Sequence, residues 1–273
     1  MRVVNHRLIG DNGTPVEFRR SPNQSDTIKP EFLVIHYTAG RSASSSINWL
    51  TNKDARASAH LVIGQDGATT QLVAFNRKAW HAGSSRWAGR EGLNSCSIGI
   101  ELDNPGRLER RVNGWCSTWG DPVDPANVIE ARHKNGGAEC GWHTYSGAQL
   151  ETLQNIAVCL VNHYDLLDVI GHDDIAPGRK SDPGPAFPMA RIRSAVIGRE
   201  QEVVEVFVTV AVLNIRSGPG VEYEKLAFGP LPLGTRLEVI GESGVWRHID
   251  VLDVLDGDSH RTGWVHGHYI ESV

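Results

Sequence analysis

Residues 31–40 read EFLVIHYTAG. The run from Phe32 to Ile35 is apolar without a break, which is the pattern of a strand covered on both faces. Thr38, Ala39 and Gly40 interrupt it, and RSASSSINWLTN follows with serines suited to cap a helix. A buried strand feeding a helix predicts layered α/β architecture, and the neighbouring segments agree. SAHLVIGQDGATTQLV (58–73) reads as two strands joined at Gln65-Asp66-Gly67, a hairpin signal. In CSIGIELDN (96–104), Ile98, Ile100 and Leu102 share one face, and Gly99, Glu101 and Asp103 share the other.

Farther out, the chain from Pro105 to about His143 is glycine-rich and charged, and reads as a long irregular surface insertion. Leu150, Leu153, Ile156, Ala157, Leu160, Val161 and Tyr164 recur at helical spacing, and Ser146 with Gln149 forms a capping-box pattern at the start. DVIGH (168–172) reads as a short strand ending at His172. The expectation for residues 1–198 is a mixed central sheet flanked by helices. Residues 203–273 differ: short Val-rich runs alternate with SGPG, GPLPLG, GESG, DGDS and HGH, an all-β signature. The boundary is expected at Gly198–Glu202. No internal repeat or low-complexity tract is visible.

The 273 residues are 40% hydrophobic and 22% charged, with a formal net charge of −5. That balance lacks the overall basic field that holds nucleic acid or an anionic membrane. The start, MRVVNHRLIGDNGTP, lacks the pattern of a secretory signal. VVEVFVTVAVLNI (203–215) is too short and polar to span a bilayer. The four cysteines include no CxxC pair, which argues against a cysteine zinc cluster. Cys96 and Cys159 read as small buried hydrophobes. Cys116 and Cys140 share one segment, and their pairing in an oxidising compartment stays open.

Two predicted strands end in a histidine, His36 and His172, and strand ends in α/β folds face the crevice where ligands bind. His172 opens GHDDIAPGRKSDPGP (171–185), a stretch too rich in Gly and Pro for a helix or central strand. Asp182 lies in it on a loop stiffened by Pro177, Pro183 and Pro185. Two imidazoles and a carboxylate form a catalytic zinc ligand set with a fourth position open. A hydrogen-bonded structural histidine is the competing reading of each, and spacing alone leaves both open.

FLVIHYTAG, SAHLVIGQDG, KAWHAG, NSCSIGIELDN and GHDDIAPGRKSDPGPAF occur in this order. Together, over about residues 30–195, they resemble the zinc-dependent N-acetylmuramoyl-L-alanine amidases related to peptidoglycan-recognition proteins. They look most like the bacterial anhydromuropeptide-recycling branch. The resemblance implies Zn²⁺ held by His36, His172 and Asp182, with Glu101 as the catalytic glutamate and Lys180 as the catalytic lysine. It implies hydrolysis of the amide between the lactyl group of N-acetylmuramic acid and L-alanine. Glu101 would move the proton from water to the leaving nitrogen, with Gly99 leaving room beside it, and Lys180 would face the oxyanion. Some relatives carry a tyrosine where Ala59 stands, so that role is absent, and Tyr37 is expected to point the other way. His60 and His81 lie in family motifs and read as structural or substrate-lining. Trp80 and Trp142 are candidate stacking rings for a sugar or peptide, with burial as the competing reading.

VLNIRSGPGVEYEKLAFGPLPLGTRLEVI, VWRHI and TGWVHGHYI resemble a bacterial SH3-like domain, a small all-β barrel. Such domains accompany wall hydrolases and bind wall peptide or glycan, which implies tethering. His266 and His268 could bind a metal, but read better as turn histidines. The leading expectation is a peptidoglycan amidase acting at the wall after lysis or non-standard export. The alternatives are a cytosolic muropeptide-recycling enzyme and a non-catalytic recognition protein. The intact set His36, His172, Asp182, Glu101 and Lys180 argues against the last.

Overall fold

In the computed structural model, residues 1–112, 114–197, 206–253 and 261–272 are described, and the chain divides into two units, Met1–Gly198 and Arg199–Val273. The boundary expected at Gly198–Glu202 lies outside the described residues.

The first unit opens with β1 (Arg2–Val4), β2 (Arg7–Ile9), β3 (Glu17–Phe18) and β4 (Gln24–Thr27). Then come β5 (Phe32–Tyr37) and α1 (Ala43–Leu50). Short strands follow: β6 (Leu61–Ile63), β7 (Thr69–Gln71), β8 (Arg77–Ala79), β9 (Arg86–Trp87) and β10 (Arg90–Glu91). Next are β11 (Ser97–Leu102), β12 (Glu109–Arg111), β13 (Gly114–Cys116), β14 (Val128–Ala131) and β15 (Cys140–His143). The unit closes with α2 (Gly147–Tyr164), β16 (Asp168–Gly171), α3 (His172–Ile175) and α4 (Met189–Ile197).

Six strands form the central sheet in the order β16-β5-β11-β6-β7-β3. β5 runs parallel to both β16 and β11, β11 parallel to β6, and only the β6–β7 hairpin is antiparallel. The sheet is mixed, as its sequence predicts. The unbroken apolar run of β5 follows from its place: both faces are covered. Leu33 and Ile35 pack with Ile98, Ile100 and Leu102 against Leu153, Ile156 and Leu160 of α2. Phe32 and Val34 on the other face pack with Ala82, Leu93, Ile170 and Ile175. Ser42 caps α1 in a full capping box with Ser45. α2 is capped by half of one. The Ser146 hydroxyl accepts from Gln149 N–H at 3.1 Å, but the Gln149 amide donates instead to the Ile63 and Asp103 carbonyls, at 2.9 and 3.2 Å.

Three expectations are corrected. Residues 105–143 lie mostly at the surface, as expected, but are not irregular throughout: they form two hairpins, β12–β13 and β14–β15, and Cys140, Gly141 and Trp142 are buried. His172 does not end a strand. It begins a one-turn helix inside the Gly/Pro-rich segment, because Asp174 accepts from Gly171 N–H at 2.7 Å and closes the turn. Cys96 and Cys159 are only half-buried. Cys116 and Cys140 are buried free thiols, so the pairing left open is not formed.

The second unit is a five-stranded antiparallel sheet in the order β20-β19-β18-β17-β21. Its strands are β17 (Val206–Thr209), β18 (Arg236–Ser243), β19 (Trp246–Val251), β20 (Arg261–His266) and β21 (Ile270–Ser272). Ile215, Leu231, Leu237, Ile249 and Val265 make its own core. Among the described residues, no helix is long and apolar enough to cross a membrane.

Candidate active site

Strand parity puts the chemistry on one face. Phe32, Val34 and His36 alternate along β5 on the side away from α2. Glu101, two residues after Gly99 on β11, stands in register with His36. His172 continues the parity of Asp168 and Ile170 just beyond β16. All three lie at the carboxyl ends of parallel strands, where α/β sheets hold ligands. The Asp182 loop is brought back by a hydrogen bond from Asp173 N–H to the Asp182 carbonyl, 2.7 Å.

His36 Nδ1 lies 2.9 Å from His172 Nδ1 and 2.9 Å from Asp182 Oδ2, and His172 Nδ1 is also 2.9 Å from Asp182 Oδ2. All three residues are buried, and they are the one group among the described residues with three donors close enough to share a metal ion. The hydrogen-bond network assigns their tautomers. His172 Nε2 faces the Ala82 carbonyl at 3.2 Å, so it carries the hydrogen and Nδ1 presents a lone pair. The Ser97 hydroxyl donates to the Leu93 carbonyl at 2.6 Å and therefore accepts from His81 Nε2 at 3.4 Å. His81 Nδ1 then accepts from His36 Nε2 at 3.0 Å, leaving a lone pair on His36 Nδ1 as well. Burial, with His172 adding to it, lowers the His36 imidazole to about 4. Burial alone would raise the Asp182 carboxyl, but the His172 and His36 rings beside it reverse this and hold it below the usual carboxylate range.

Glu101, Lys180, Trp80 and His81 join these three in lining a cleft of about 370 Å³. Glu101 Oε2 is sealed from solvent without a hydrogen-bond partner among the described residues. Burial, then the Asp182 charge, raise its carboxyl well above the ordinary value, and the nearby Lys180 works against them. Gly99 does not leave open space beside it. A β-carbon there would come within 2.5 Å of the His81 ring, so the missing side chain is what admits that imidazole.

Other sequence candidates fall elsewhere. His60 is fully buried, donating from Nε2 to the Arg77 carbonyl (2.9 Å) and accepting Gly99 N–H on Nδ1 (3.0 Å). Trp142 is 2% exposed and donates to the Ala131 carbonyl at 3.0 Å. It lines a neighbouring pocket of about 280 Å³ with Arg107, His133, Lys180 and Ser181 rather than the cleft. His266 and His268 belong to no metal-holding group among the described residues. Tyr37, set aside in the sequence, lines the cleft and pairs its hydroxyl with Ser181 Oγ at 2.8 Å. The direct contact of His81 with His36 was also missed. KAWHAG marks His81 as notable, but only the fold brings it across to β5.

Comparison with known proteins gives the family. The family described as N-acetylmuramoyl-L-alanine amidase matches residues 26–185, and the bacterial SH3 domain matches residues 211–271. The 1,6-anhydro-N-acetylmuramyl-L-alanine amidase AmpD of Citrobacter freundii is 34% identical over 213 residues, 69% of this chain and 95% of its own. The N-acetylmuramoyl-L-alanine amidase AmiD of Escherichia coli strain K12 is 32% identical over 200 residues, 70% of this chain and 62% of its own. A solved complex of E. coli AmiD with anhydro-N-acetylmuramic acid-L-Ala-D-gamma-Glu-L-Lys is 30% identical, with a TM-score of 0.47, covering 67% of this chain and 63% of that one. With a match over more than half its length and relatives of this identity, the chain belongs to the N-acetylmuramoyl-L-alanine amidase family and carries a C-terminal bacterial SH3 domain.

Proposed function

We propose that the chain is a zinc hydrolase cleaving the amide between N-acetylmuramic acid and L-alanine in peptidoglycan, with His36, His172 and Asp182 holding the ion. The observation that carries this is the meeting of two imidazole lone pairs and a carboxylate oxygen at 2.9 Å. Three electron-rich atoms at that separation are stable neighbours only with a proton or cation among them. Two nitrogens and one oxygen suit zinc and leave a coordination position free.

When bound, zinc polarises the scissile carbonyl and lowers the pKa of water. The side chains do the rest. Glu101 takes a proton from the attacking water, whose oxygen bonds to the carbonyl carbon. Lys180 supplies positive charge to the carbonyl oxygen as that carbon becomes tetrahedral. The carbon–nitrogen bond then breaks, and Glu101 returns the proton to the departing nitrogen of L-alanine. The raised Glu101 carboxyl suits both directions of transfer. The SH3 domain is the wall-binding module, which would hold the enzyme on a polymer and place its work at the cell wall, after lysis or non-standard export. Kinship with a 1,6-anhydro amidase favours a second reading, in which soluble anhydromuropeptides are the substrate.

The test is a digest of purified sacculi and of soluble anhydromuropeptides, with and without a chelator, read by mass spectrometry. Free stem peptides beginning at L-alanine are expected, and the chelator abolishes them. The faster substrate decides between the two readings. Glu101→Ala is expected to keep its zinc and lose at least about 100-fold in rate. A full rate in that variant removes the assigned base.

A further inference from the structure

We propose that the insertion at residues 105–143 completes the metal site from outside. His133, Lys134 and Asn135 are positioning residues that hold α3, and so His172 and Asp182, in ligand geometry. The inference rests on the zinc reading above.

α3 has four residues, too few to hold its shape unaided. Beside His172 it buries Asp173, which is 2% exposed, and a carboxylate at that depth needs charged or hydrogen-bonding partners. The partners found here come from the insertion. Asn135 N–H donates to His133 Nδ1 at 3.1 Å, which places the His133 hydrogen on Nε2, and Nε2 donates to Asp173 Oδ2 at 3.0 Å. Lys134 Nζ lies 2.9 Å from Asp173 Oδ1 and 2.6 Å from Asp174 Oδ1. The Asn135 amide donates to the Asp173 carbonyl at 2.8 Å. Three successive side chains thus grip both acids after His172. The grip reaches the third ligand too, because Asp173 N–H donates to the Asp182 carbonyl at 2.7 Å. The two ends of the insertion are tied to each other by hydrogen bonds from Leu108 N–H to the Gly141 carbonyl (2.8 Å) and from His143 N–H to the Gly106 carbonyl (3.0 Å), and the Asn104 amide, just past β11, donates to the His143 carbonyl at 3.3 Å. The connection of the β14–β15 hairpin thus holds a helical turn that carries one ligand directly and another by one hydrogen bond.

Zinc affinity of the full chain, by competition against a chromogenic chelator, tests this with the ion as the only ligand. Partners behind metal ligands are typically worth about 10- to 100-fold in affinity. Lys134→Met and Asp173→Asn are each expected to weaken zinc binding roughly 10-fold or more. The double variant should lose less than the two single losses combined, since Lys134 acts in part through that carboxylate. Lys134→Arg should restore most of the affinity. Arg110→Ala, in the same insertion but paired with Glu130, should leave it unchanged. Amide exchange over residues 172–175 of the metal-free protein should speed up in Lys134→Met, which keeps the test readable if Asp173→Asn folds poorly. Wild-type affinity and unchanged exchange in Lys134→Met would overturn the inference. A wild type that binds no zinc overturns the metal reading itself, and this one with it.

Discussion

Glu101 is the residue where burial and chemistry oppose each other most openly. Its carboxyl is raised well above 4.5, first by burial and then by the Asp182 charge. The folded metal-free protein therefore holds a proton over a pH range in which the unfolded chain has released it. Stability from this group is present below about pH 4.5 and declines as pH rises toward the raised value. Glu101→Gln carries no such dependence. The metal-free variant is expected to melt higher than wild type at neutral pH, with the gap closing as pH falls through that window, in melts recorded across pH. An equal gap at every pH would show that the carboxylate is not desolvated. The three residues that meet in the cleft are legible because whole motifs surround them: His36 in FLVIHYTAG, and His172 and Asp182 in GHDDIAPGRKSDPGPAF. Their surroundings are not. His81 touches His36 across 45 positions, and His133 reaches Asp173 across 40. No local pattern announces such a contact. The absent side chain of Gly99 reads as room, and only the fold reveals the ring that occupies it.

At the scale of elements, β5, β6, β7, β11 and α2 follow from periodicity because each buries a defined set of positions. The insertion does not, since its strands are three or four residues long and mix charge with glycine. α3 escaped for a related reason. Gly and Pro argue against a long helix but not against one turn closed by Asp174. Within α2, Leu153 is fully buried against the sheet, and Leu153→Ala is expected to cost about 2–5 kcal/mol in denaturant unfolding. Gln149→Ala should cost about 1–3 kcal/mol, because it strips two buried carbonyls, Ile63 and Asp103, of their donor. A loss well below that range would mean that the half-formed capping box, rather than the side-chain bridge, is what Gln149 contributes.

The whole molecule combines a catalytic unit and a β unit with separate cores. The change in composition near residue 200 is legible because strand-and-turn chemistry replaces helix-and-strand alternation within a few residues. A ligand of the β unit is not, since short Val-rich strands specify a sheet without specifying what it binds. If the unit tethers the enzyme, a chain ending at residue 197 keeps its kcat/KM on soluble anhydromuropeptide and loses about 100-fold or more on sacculi. Equal losses on both substrates would assign the β unit a folding role instead. The account as a whole turns on a single ion held by side chains from three segments. Elemental analysis after dialysis tests this most directly, comparing wild type with His36→Ala, His172→Ala and Asp182→Ala. A single zinc per folded chain in wild type, and essentially none in each variant, is the predicted result. A wild type that retains no zinc, or a His172→Ala protein that retains as much as wild type, would contradict it.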